Sequence, residues 1–81
     1  MKELIVKIAP FILKQSVYIR DIETGEIKEE CIPQKELAHF ISLQQDIKEI
    51  HLFGHEKFVK KIQEECMYKY NMKDFVFKIN E

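Results

Sequence analysis

Two hydrophobic periods alternate along this chain, and the places where one gives way to the other set out an order of elements. Lys2–Ala9 (KELIVKIA) carries a nearly continuous apolar run of Leu4, Ile5, Val6 and Ile8, which predicts a strand covered on both faces. Pro10 has no N–H to donate to a ladder, so the strand is expected to end or bulge there, with Phe11–Ser16 as a connection. Val17–Ile22 (VYIRDI) is β-branched and aromatic, and reads as a second strand. Glu23-Thr24-Gly25-Glu26 is a tight turn in which Gly25 suits a positive φ. Ile27–Ile32 (IKEECI) returns from it, with Ile27 and Cys31 on one face and Lys28, Glu30 and Ile32 on the other. That pattern predicts a short edge strand protected by charge.

The period then lengthens. Pro33 opens a helix, where its missing N–H costs nothing, and Gln34–Leu43 places Leu37, Phe40 and Ile41 on one face with Ala38 beside them. Lys48–Phe53 (KEIHLF) reverts to alternation and reads as a strand, and Gly54 interrupts it. From His55 to Tyr70 an apolar stripe of Phe58, Val59, Ile62 and Cys66, ending at Tyr70, predicts a second helix. Asn71 is a good left-handed stop, and Asp74–Asn80 (DFVFKIN) is the last strand. The order is β-β-β-α-β-α-β. Short connections make the first three strands antiparallel neighbours, while the later strands require right-handed parallel crossovers. The expected fold is one α/β domain over residues 1–81, a mixed five-stranded sheet with two helices.

Ile8-Ala9-Pro10-Phe11, followed by Gln15-Ser16-Val17-Tyr18, resembles the Ile-Asp-Pro-Gly segment and second strand of resolvase-type members of the ribonuclease H-like fold, which has this element order. The resemblance implies ribonuclease H-like topology. Nucleases of that family hold divalent metals with carboxylates at strand ends. The first-strand aspartate would fall at Ala9, the fourth strand ends in Leu52-Phe53-Gly54, and Glu49 lies at that strand's other end. Actin-like ATPases of the same fold use glycine-rich phosphate loops, and this chain has only two glycines. The resemblance therefore implies a scaffold without the family's chemistry, with no metal and no cofactor.

Size and charge narrow the field. A chain of 81 residues buries about 60–65% of its unfolded surface, so oligomerisation is a natural supplement to its small core. Thirteen basic and 14 acidic side chains leave a formal charge of −1, which argues against nucleic acid and anionic lipid as partners. Two cysteines without a C-x-x-C, a first decapeptide too charged for a signal peptide and no membrane-length apolar run are expected of a cytoplasmic protein. Abundant isoleucine and lysine with scarce alanine suggest a bacterial or phage source.

Candidate chemistry is sparse. Gly54, His55 and Lys57 lie where a parallel strand hands over to a helix, a place where open α/β sheets bind anions. This turn is the ligand-binding or hydrolytic candidate, with His55 as acid or base; the competing expectation is a plain strand-to-helix turn. His51 and His55 have metal-ligand spacing only on a continuous helix, which Gly54 interrupts. Cys66 falls on an apolar stripe and reads as a core residue rather than a nucleophile. Lys57, Lys60, Lys61, Glu64 and Glu65 form a solvated helix face. Tyr68, Tyr70, Phe75 and Phe77 are the candidate interface residues, because outward-facing aromatics mark contact surfaces and the last strand could pair at a sheet edge. With no catalytic constellation among these motifs, the expectation is a non-catalytic module that binds a protein partner or a second copy of itself.

Overall fold

The computed structural model describes residues 1–9 and 13–80. The expected break at Pro10 and the Pro10-Phe11 half of the resolvase-like segment lie outside the described residues. Five strands form one sheet: β1 (Lys2–Lys7), β2 (Lys14–Asp21), β3 (Ile27–Pro33), β4 (Ile47–Phe53) and β5 (Val76–Asn80). Their spatial order is β3-β2-β1-β4-β5, with β1 antiparallel to β2, β2 antiparallel to β3, and β1, β4 and β5 mutually parallel. The mixed five-stranded sheet with two helices is thus as expected.

Strand limits differ from the pattern at their ends. β2 begins at Lys14 rather than Val17, because β3 runs on through Pro33 and pairs with it residue for residue. Pro33 therefore closes an edge strand, a position that tolerates its missing N–H. Gln34–Glu36 is a 3-10 turn, and only Leu37–Ser42 is α-helical (α1). The second helix, α2 (Glu56–Glu64), continues as a wider π turn over Glu65–Lys69. Asn71 ends it at φ 58°, and Met72 N–H donates back to the Cys66 carbonyl at 3.0 Å.

The direction of the two crossovers decides where the helices lie. β3 reaches β4 by passing β2 and β1, and β4 reaches β5 one place further in the same direction. Right-handed connections that advance the same way put their helices on the same side of the sheet. Leu4, Val6, Val17, Ile50 and Leu52 face that side and are fully buried with Leu37, Ile41, Val59 and Cys66. Each such leucine or isoleucine stabilises the fold by about 1.5–3 kcal/mol. The opposite face has no helix over it among the described residues. Ile5 points there and is outside the core cluster. The expectation that β1 is covered on both faces is corrected accordingly: its apolar run feeds one core, and Ile5 faces away from it.

Two glycines do different work. Gly25 turns the β2–β3 hairpin at φ 78° with open space where a side chain would go, whereas Gly54 adopts φ 146° with the Ile8 carbonyl oxygen only 2.6 Å from where a Cβ would stand. Gly25→Ala should destabilise by about 1–2 kcal/mol, the ordinary cost of a left-handed non-glycine residue. Gly54→Ala adds a backbone clash to that cost and should destabilise distinctly more, about 3 kcal/mol or above. Urea unfolding of the two variants measures the difference, and equal losses would refute the close-approach role of Gly54.

Candidate functional site

The uncovered face is a grid in which cross-strand register places every side chain. Its first row, from β3 to β5, is Ile27, Arg20, Glu3, Glu49 and Val76. The next is Glu29, Tyr18, Ile5, His51 and Lys78, and the third is Cys31, Ser16, Lys7, Phe53 and Asn80. An irregularity between Lys2 and Glu3 shifts the β1–β4 register by one residue, so that Ile47 packs on the core while Glu49 faces outward.

Charges gather at the amino end of the parallel strands. Arg20 Nη2 donates to Glu3 Oε2 at 3.0 Å, His51 Nε2 lies 3.0 Å from Glu49 Oε2, and Lys78 Nζ lies 3.5 Å from Glu49 Oε1. Ligand atoms of Glu3, Glu49 and His51 fall within 4.8 Å of one another, close enough to surround a cation. The two carboxylates are nevertheless already matched by the Arg20 guanidinium and the Lys78 ammonium. As arranged, it is an ion-pair network that lets a polar strip lie across the middle of a sheet. Partial desolvation works to raise the Glu49 carboxyl, but the charge of Lys78 and the His51 and Lys78 hydrogen bonds outweigh it and hold Glu49 below its ordinary 4.5.

At the carboxyl end of β1 and β4 the same face opens into a cleft of about 370 Å³, lined by Lys7, Ile8, Ala9, Lys14, Gln15, Ser16, Phe53 and Gly54. Gln15 shapes its wall. The β1–β2 ladder stops at Lys7 and Ser16, and beyond it the buried Gln15 carboxamide accepts from Ala9 N–H at 2.6 Å and donates to Ala9 O at 3.0 Å. A side chain thus continues the pairing where the strands part.

The residues singled out in the sequence are spread between settings. Gly54 lines this cleft, with its N–H donated to Asn80 O at 3.1 Å. His55 instead caps α2, its ring Nδ1 accepting from Lys57 N–H at 3.2 Å, and the Lys57 side chain is exposed on the first turn. His51 belongs to the ion-pair network on β4. The candidate interface aromatics also divide. Tyr70 and Phe77 are partly buried against the core, and Tyr70 packs on the His39 ring at 5.6 Å. Tyr68 is exposed on the π turn and Phe75 just before β5. On α2 the expected solvated face is present, with Lys60 Nζ 2.7 Å from Glu56. Among the described residues no helix is long and apolar enough to cross a membrane.

No known family and no curated protein matches this sequence. Two groupings escape sequence reading, the Glu3–Glu49–His51 cluster and the Lys7–Lys14–Ser16 cleft. Both depend on β1 lying directly between β2 and β4. The available signal was polar alternation at Glu3 and Lys7, and at Glu49 and His51, within otherwise apolar strands.

Burial pushes the Cys66 thiol up to about 12, whereas Cys31 is exposed on β3. One thiol should react with a disulfide reagent in the native protein and two in denaturant; rapid native modification of both would contradict the burial of Cys66. Because the folded Glu49 pKa is lowered, its contribution to stability is present above its ordinary value and lost as pH falls through the folded value. Glu49→Gln should therefore lower stability at neutral pH and make it fall less steeply on acidification. Urea midpoints from pH 7 to pH 3 that run parallel in the two proteins would exclude this.

Proposed function

We propose that this chain is a small non-catalytic protein-interaction module that binds by adding a strand, from a partner or from a second copy of itself, to the β5 edge of its sheet. The contrast between the two edges carries the reading. The β3 edge exposes Lys28, Glu29 and Glu30, charges that oppose pairing. The β5 edge exposes Val76 at 50% and Ile79 at 38%, with Phe75 at 37% just before it. Its outer backbone groups form a template for a further strand, with side-chain contacts to set specificity. Lys78 is the one charged residue of β5, and its ammonium lies 3.5 Å from Glu49, so this edge carries less protecting charge than β3.

An anion-binding or hydrolytic role for the Gly54–Lys57 turn is the competing reading; the His55 ring already occupies the Lys57 amide there. We read the scaffold as ribonuclease H-like, which the strand order β3-β2-β1-β4-β5 supports, and the protein as cytoplasmic, which two unpaired thiols support.

The wild-type chain should self-associate in sedimentation velocity or retain a partner in pull-down. The double variant Val76→Lys, Ile79→Lys should lose that association with a thermal midpoint within a few degrees of wild type, since both sites are exposed. A monomeric wild type that captures nothing beyond what the double variant captures would sink the proposal.

A further inference from the structure

The cleft at the carboxyl ends of β1 and β4 has the composition of a ligand site. Lys7 and Ser16 are cross-strand partners, and Lys14 is two residues before Ser16 on the same face of β2. Directly opposed residues have Cβ atoms about 4.5–5.5 Å apart, so Lys7 and Ser16 stand as neighbours at the cleft, with Lys14 beside them along β2. No carboxylate is among the lining residues. Elsewhere on this face the cations are matched: Arg20 by Glu3, and Lys78 by Glu49. Lys7 and Lys14 form no ion pair among the described residues, and Lys7 Nζ is held 5.3 Å above the Tyr18 ring centre. The remaining wall is made by Ile8, Ala9, Gly54 and the half-buried Phe53, with the Gln15 carboxamide bonded to the Ala9 backbone.

The position has a topological reason. From β1 the chain turns back to β2 on one side, and from β4 it crosses to β5 on the other. Neighbouring parallel strands whose connections leave in opposite directions open a crevice beyond their carboxyl ends, where ligands of open α/β sheets bind. Gly54 lets the end of β4 come close to β1 at the crevice wall, since a side chain there would press on the Ile8 carbonyl. The volume sits at the lower end of the range for ligand pockets, which restricts the occupant to a small molecule.

We propose that this cleft binds a small phosphate monoester with a planar ring, of the nucleoside monophosphate class, with the phosphate on Lys7, Lys14 and Ser16 and the ring against Phe53. This site goes beyond the edge-strand reading and is independent of it, because Val76 and Ile79 do not line the cleft. The probes are adenosine monophosphate, inorganic phosphate, adenosine and a short single-stranded oligonucleotide, titrated into the full chain by calorimetry and by amide chemical shifts.

The monophosphate should shift the amides of Lys7, Ser16, Phe53 and Gly54. Its affinity should fall about tenfold or more in Lys7→Met and in Lys14→Met, as loss of a charge-assisted contact implies, while Lys61→Met on α2 leaves it unchanged. Both cleft lysines are exposed, so the variants should keep the wild-type thermal midpoint. Inorganic phosphate should bind more weakly than the monophosphate, and adenosine should not bind. The proposal is overturned if the monophosphate causes no shifts at millimolar concentration, or shifts only the start of α2. Equal affinity in the lysine variants, or in inorganic phosphate, also overturns it, as does binding of the oligonucleotide without binding of the monophosphate.

Discussion

The handedness of two crossovers governs this structure. Because β3 lies beyond β2 and β1, the chain must cross both to start β4, and it advances the same way again to start β5. Right-handed connections then leave no freedom: α1 and α2 lie on one side. The core forms between them and the inward residues of the three central strands, and among the described residues no helix covers the other side. An exposed sheet face must carry side chains that tolerate water, and this one does so with ion pairs within its first row and between its first and second, and with lysine, serine and phenylalanine in its third.

That division explains why the chain holds polar residues at the centre of a sheet. Glu3 and Glu49 lie side by side on adjacent strands, an arrangement that like charges oppose. Arg20 from β2 and Lys78 from β5 flank them, so the repulsion is relieved from both sides. The same neutralisation makes the cluster a poor competitor for a divalent ion, although its geometry would admit one. The lysines at the other end of the face have no such partners among the described residues, and this asymmetry along the strands separates a self-satisfied network from a cleft able to take an anion.

The edges obey a different constraint. A sheet of this order cannot close on itself, so β3 and β5 each leave a row of backbone groups unpaired within the sheet. The chain guards them unequally. β3 exposes acidic and basic side chains in succession, whereas β5 exposes branched apolar ones and lends its lysine to Glu49. With a core of this size, adding surface through the less guarded edge is a physically economical route to further stability.

Much of this was legible in the order of residues. Alternating and 3.6-residue periods locate all five strands and both helices, because those periods report which side chains must leave water together. Gly25 and Asn71 announce their left-handed positions, since few other residues adopt them readily. Cys66 on an apolar stripe announces its burial. What the chain order could not supply was that β4 lies beside β1, on the side away from β2, and β5 beside β4. The apolar run in β1 suggested cover on both faces, and only the common direction of the two crossovers left Ile5 outside the core. Glu3 and Glu49 are 46 positions apart, and Lys7 and Ser16 are nine apart. Lys7 and Ser16 meet across the short β1–β2 connection, but Glu3 meets Glu49, and Lys7 meets Phe53, only because β4 is laid against β1, a placement that comes from packing the whole sheet against its helices and that no local stretch of sequence contains.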